Sequence, residues 1–185
     1  MSKKVAVAAK VSPLKSASAM EDFFSCDYFA LFGLPRTGSL SADVLRTKYE
    51  SLQSKAHPDR FAGGGEASRR AALQMASRIN DAYSTLSDPL RRAAYLLSLN
   101  GVVAFAEDNT AMPPEFLMQQ IEWREELESA DVKRRAAVVE EIKTARDEAV
   151  SATDSFLAKA EWESAADAVR RWKYLQKMLT DFSAS

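Results

Sequence analysis

One cysteine, Cys26, and one histidine, His57, stand in a chain of 185 residues. A single thiol excludes an internal disulfide and any multi-cysteine zinc site. A single imidazole leaves a metal only carboxylates as its other ligands. Six glycines and six prolines are too few for a turn-rich β protein. No apolar run approaches the ~20 residues that a membrane-spanning helix needs. The first 25 residues contain no arginine and no acid before Glu21, so they lack the arginines of a mitochondrial presequence. Lys10 interrupts their apolar pieces too early for a secretory core. Residues 1–25 are therefore expected to be a disordered leader, with Met20 as an alternative start.

The near-neutral total hides a division. Residues 1–26 carry four lysines against two acids, residues 27–99 ten basic against seven acidic side chains, and residues 100–185 eleven basic against seventeen acidic. A mildly basic block joined to an acidic one points to two surfaces made for different partners. Neither block is basic enough for nucleic acid.

Helical periodicity runs through the chain. Asp27 and Gly33 bracket a short helix as N-cap and stop. Ser41 caps a second helix, in which Leu45, Tyr49, Leu52 and Ala56 form one stripe that ends before His57-Pro58, because the residue before proline resists αR. A third spans about 66–86, with the stripe Ala72, Ala76, Ile79, Tyr83 and Leu86, so the two make an antiparallel hairpin. Asp88-Pro89 opens a fourth that stops at Asn100-Gly101. Residues 101–113 are read as a linker. Three further helices follow, over about 114–128, 131–159 and 161–182. The second carries Val139, Ile142, Ala145 or Arg146, Ala149, Thr153 and Phe156. The third carries Ala165, Ala168, Trp172, Leu175, Leu179 and Phe182. Long striped helices with short connections form an antiparallel bundle. The expected fold is all-α: 1–25 leader, 26–100 N-terminal domain, 101–113 linker, 114–185 three-helix bundle.

His57-Pro58-Asp59 lies in the loop of the hairpin, after a helix bearing Lys48 and Lys55. Pro58 fixes its own φ and presents its neighbours rigidly. Asp59 is an anionic acceptor suited to an arginine on a partner, and a rigid loop loses little entropy on docking. Three plainer roles compete. A metal at His57 would need carboxylates alone. A His57–Asp59 base has no nucleophile, since no serine sits in an elbow motif. Gly63-Gly64-Gly65 follows no strand and is not a phosphate loop.

These words, with Tyr28-Phe29-Ala30-Leu31-Phe32-Gly33 before the loop and Ile79-Asn80-Asp81-Ala82-Tyr83 through Asp88-Pro89 after it, resemble the J domain. The resemblance extends over residues 27–182 to the HscB-type co-chaperones of iron–sulfur cluster assembly. Arg92-Ala93-Ala94-Tyr95-Leu96-Leu97-Ser98-Leu99-Asn100-Gly101, Phe116-Leu117-Met118, Arg124-Glu125-Glu126-Leu127 and Trp162-Glu163-Ser164-Ala165-Ala166-Asp167-Ala168-Val169-Arg170 carry it. It implies a non-enzymatic protein without a cofactor. His57, Pro58, Asp59, Lys48, Lys55 and Arg60 would engage a DnaK-class (HscA-like) chaperone and stimulate its ATPase. The bundle would bind an IscU-like iron–sulfur scaffold protein. Animal mitochondrial relatives have paired zinc-binding cysteines before the J domain; only Cys26 stands here, which implies a bacterial-type, cytoplasmic protein.

The helix over 114–128 supports a client surface independently. With Phe116 at 0° and about 100° per residue, Trp123 and Leu127 fall within about 20° of it. Leu117, Ile121 and Met118 fall at about 100°, 140° and 200°, edged by Glu122, Glu125 and Glu128. A helix of a small bundle rarely buries both faces, so the second face is expected to meet a partner. Packing of Leu117 and Ile121 on the first domain is the alternative. Tyr174, about 200° from Trp172, matches an aromatic client position of the family. Where the family has a further acid one turn after Glu125, Ser129 stands, with Glu128 beside it. A J-protein for a different client, or a helical scaffold with a vestigial His-Pro-Asp loop, are the other readings. ATPase stimulation separates the scaffold from both, and client binding separates the two J-proteins.

Overall fold

The computed structural model describes residues 17–57, 59, 61, 63, 65–105 and 112–183. Its helices are α1 (Ala17–Ser25), α2 (Tyr28–Phe32), α3 (Ala42–Ala56), α4 (Gly65–Ser87), α5 (Pro89–Ser98), α6 (Pro114–Ser129), α7 (Val132–Ala158) and α8 (Trp162–Ser183). The described residues contain no strand. They form two compact units that meet in sequence between Asp88 and Pro89.

The first unit is the α3–α4 hairpin with α2 packed on it. Its local signals act as the sequence indicates. The Asp27 carboxylate accepts from Ala30 N–H at 3.0 Å. Gly33 ends α2 at φ 61°, a left-handed conformation that only glycine adopts without strain. Ser41 Oγ accepts from Val44 N–H, and His57, extended at ψ 130°, ends α3. Leu45, Leu52 and Ala56 are buried as expected. On α4 the fully buried residues are Ala72, Met75, Ile79, Ala82 and Leu86. Ala76 and Tyr83 are only half-buried, because Tyr83 lies at the edge of the hairpin, stacked on Tyr49 with ring centroids 4.1 Å apart.

The leader departs from expectation in part. Residues 1–16 lie outside the described residues, but 17–25 form α1 rather than a disordered tail. The reason is tertiary. Phe23 is buried, and Arg78 of α4 donates from Nε to the Phe23 carbonyl at 3.1 Å and from Nη2 to the Cys26 carbonyl at 2.5 Å. The same guanidinium lies 5.5 Å from the centre of the Tyr28 ring. One arginine thus satisfies carbonyls at the C-terminal end of α1, where the helix has none of its own donors left.

The second unit holds the bundle. Trp123 and Leu127 of α6, Val138, Ile142 and Ala149 of α7, and Ala165, Val169, Trp172, Leu175 and Met178 of α8 share one core. The valine, leucine, isoleucine and methionine side chains among them each contribute roughly 1.5–3 kcal/mol on burial. Two expectations shift here. First, α5 packs against α8 and brings Ala93 and Leu97 into this core, so the packed units divide at Asp88 rather than at residue 100. For this reason α8 buries Ala166 and Val169 beyond the single stripe read from its sequence. Second, the segment read as a linker is partly core: Ala104 and Met112 are buried, while 106–111 lie outside the described residues. On α7, Val138 replaces Val139 as the buried valine, and Thr153, fully buried, returns its hydroxyl proton to the Ala149 carbonyl at 2.8 Å.

Candidate functional site

Two surfaces carry the residues singled out by the sequence. The first is the tip of the hairpin. His57 and Asp59 are exposed, with side-chain exposures of 59% and 90%, and His57 Nδ1 lies 3.4 Å from Asp59 Oδ2. The Asp59 backbone N–H also points at Nδ1, at 3.4 Å. Neither side chain is part of a core. Lys48 and Lys55 are seven residues apart on α3, hence on nearly the same face; Lys48 is exposed and Lys55 half-buried. Pro58 and Arg60 lie outside the described residues.

A polar bridge below this tip was not legible in the sequence. Gln53 Nε2 donates to Tyr49 Oη at 2.6 Å and to Asn80 Oδ1 at 2.7 Å, and Tyr49 Oη donates to Asn80 Oδ1 at 3.0 Å. It ties α3 to α4 one turn before His57. Asn80 follows Ile79 of the α4 stripe, but nothing in one-dimensional spacing pairs it with residues 27 and 31 positions earlier.

The second surface is on α6 and α8. Trp123 is 7% exposed and Leu127 3%, whereas Leu117, Met118 and Ile121 are 44%, 60% and 53% exposed and Tyr174 is 39% exposed. Phe116 is half-buried against the core, with the Arg171 guanidinium 5.5 Å from its ring centre. The two faces predicted for this helix are thus present: one packed, one open. Glu122 and Glu125 are exposed along the open face, and Gln119 Nε2 donates to Glu122 Oε2 at 3.2 Å. Ser129 spends its hydroxyl on the Glu125 carbonyl at 2.7 Å.

The packed face has its own electrostatic tie. Trp123 Nε1 donates to Glu141 Oε2 at 3.2 Å, and Arg134 spans Glu141 at 2.7 Å and Glu126 at 2.6 Å. Hydrogen bonds from Arg134 first, and from Trp123, hold the Glu141 carboxyl below its ordinary range. These ions brace α6 against α7 and leave the open face free of them. No group of three or more His, Cys, Asp or Glu side chains among the described residues is arranged to hold a metal ion.

Both units match known families. Residues 27–95 match the DnaJ domain, and residues 112–182 match the HSCB C-terminal oligomerisation domain. A co-chaperone protein HscB homolog from Cupriavidus taiwanensis is 47% identical over 161 residues, which cover 85% of this chain and 92% of that protein. Among solved structures, chaperone HscB from Vibrio cholerae is similar at a TM-score of 0.75 and 40% identity, covering 86% of this chain and 96% of that one. Human co-chaperone HscB is similar at 0.79 and 25% identity, covering 86% and 82%. An N-terminal J domain, an all-helical C-terminal unit and identity of this extent together place the chain in the HscB family of J-domain co-chaperones.

Proposed function

We propose that the chain binds an iron–sulfur scaffold protein through the open face of its bundle and presents it to a DnaK-class chaperone, whose ATPase its J domain stimulates. The observation that carries this reading is that α6 has a second apolar face left exposed, beside a carboxylate edge, in a unit whose core is already complete without it. Leu117, Met118, Ile121 and Tyr174 supply apolar contact, and Glu122 and Glu125 the rim. Desolvating such a patch gives affinity, and the rim gives orientation and on-rate.

At the other end, His57, Pro58, Asp59 and Arg60, with Lys48 and Lys55 behind them, form the chaperone contact. Asp59 offers a carboxylate to an arginine of the chaperone, and the lysines face an acidic groove. The chain performs no bond-making step; it acts by favouring the chaperone conformation in which ATP is hydrolysed, which requires only that it bind that conformation more tightly. The site of action is the cytoplasm.

The test is ATP turnover by the DnaK-class partner with wild type and His57→Gln. Stimulation should be lost, while helicity and thermal unfolding stay within about 0.5 kcal/mol of wild type, as for an exposed residue outside the core. Full stimulation by the variant refutes the J-domain mechanism. Calorimetric titration with the scaffold protein tests the other surface.

A further inference from the structure

Resting on the client reading above, we infer that the client surface has a second wall, formed by Val103 and Phe105, and that the client seats between this segment and α6 across the ridge of α8 that carries Tyr174. Val103 is 60% exposed and Phe105 38%, with Ala104 between them 3% exposed.

The segment is held in place at three points. Val102 N–H donates to the Leu97 carbonyl at 3.0 Å. Arg170, itself buried and bonded to Asp167, reaches the Ala104 carbonyl with Nη1 at 3.4 Å. Lys173 Nζ lies over the Phe105 ring, 4.0 Å from its centre. A cation over one face of the ring favours that orientation, and more than a third of the residue is left in solvent. Two apolar side chains held outward by a fixed backbone are not an accident of a loose connection.

The geometry of α8 joins this wall to the client face. With Arg170 at 0°, Lys173 falls at about −60°, Tyr174 at about 40° and Arg171 at about 100°. Arg170 and Lys173 contact the 104–105 segment, whereas Arg171 contacts Phe116 of α6. Tyr174 therefore lies between the α8 residues that hold the segment and the one that holds α6. The two walls flank the exposed side of α8, so a loop or an extended segment of the client laid across Tyr174 meets both. Their charges differ in sign: Glu122 and Glu125 edge one wall and Lys173 edges the other, so a client segment with an acid placed toward Lys173 and a base toward α6 has one favoured orientation.

The test is calorimetric titration of the scaffold protein into full-length wild type, Phe105→Ala, Val103→Asp and the double variant Met118→Ala/Ile121→Ala, each with a thermal melt. Phe105→Ala and Val103→Asp should each weaken binding about five- to thirtyfold, the range for a contact beside the centre of an interface. Val103→Asp should melt with wild type, since its side chain is mostly in water. Unchanged affinity for both, with Met118→Ala/Ile121→Ala impaired, overturns the second wall and leaves the α6 reading standing. Unchanged affinity for all variants overturns both. A lowered melting temperature and weaker binding for Phe105→Ala, with Val103→Asp normal in both, shows that the segment only braces α8 and also overturns the proposal.

Discussion

Trp123 and Ile121 are two residues apart on α6 and face opposite ways: Trp123 is 7% exposed, under a hydrogen bond to Glu141, and Ile121 is 53% exposed. The same helix thus serves the core with one side and solvent with the other.

That separation predicts two classes of variant. Met118→Ala with Ile121→Ala should cost no more than about 1–2 kcal/mol of stability, because more than half of each residue stays in water in the folded chain, yet weaken scaffold binding by roughly five- to hundredfold. Trp123→Ala should do the reverse first, costing about 3–5 kcal/mol. Thermal melts paired with titrations separate them. A collapse of stability in the first variant would show that the open face is structural.

Removal of residues 1–19 should leave the melting temperature unchanged, since the anchor of α1 begins at Phe23. Phe23→Ala should cost about 3 kcal/mol, and Arg78→Met should lower stability by roughly 1–3 kcal/mol, because it removes the guanidinium that bonds the Phe23 and Cys26 carbonyls. Circular dichroism melts of the three proteins decide the matter; equal stability of Phe23→Ala and wild type would mean that α1 is not docked.

Asp27 predicts an acid limb. Burial opposes its charge, but the Ala30 N–H and the Arg36 guanidinium, with Nη2 at 2.6 Å from Oδ2, hold its carboxyl below the ordinary range. A carboxyl with a lowered folded-state value stabilises above its unfolded value, near 4, and loses that contribution as pH falls through the folded value. Asp27→Asn keeps an N-cap acceptor and removes the charge. It should be about 0.5–1 kcal/mol less stable than wild type at pH 7, with the gap closing below about pH 4. A gap independent of pH would assign the effect to capping alone.

The Tyr49–Gln53–Asn80 bridge predicts coupling across the hairpin. Tyr49→Phe and Asn80→Ala should each cost about 0.5–1.5 kcal/mol, and the double variant should cost less than their sum, because each removes the same bond. Strict additivity in denaturant melts would show that the bridge contributes nothing.

Much of this molecule was readable in one dimension. The short helix between Asp27 and Gly33, the Ser41 cap and the break at His57 rest on side-chain-to-backbone bonds and φ preferences a few residues long, and all appear where the sequence places them. The two faces of α6 were readable for a related reason: a helix imposes its angular order on any sequence it contains, so Phe116, Trp123 and Leu127 separate from Leu117, Met118 and Ile121 before any partner is known. Which of two apolar faces is packed is also set in sequence, here by the tryptophan, the bulkier of the two payloads.

Contacts between elements were not readable. Helical periodicity states that α8 has an apolar stripe, but not that α5 as well as α7 packs against it and widens the stripe to Ala166 and Val169. Composition describes residues 101–113 as a linker, because Gly101, Glu107-Asp108-Asn109 and Pro113-Pro114 resemble one; Ala104 is buried because α8 offers Arg170 and a core beside it. The leader ends early for the same reason: the donor that ties the Phe23 and Cys26 carbonyls to the rest of the unit is Arg78, more than fifty residues later. Local order follows from bonds within a turn or two of chain. What lies against what depends on side chains far apart in sequence, and that only the tertiary structure decided.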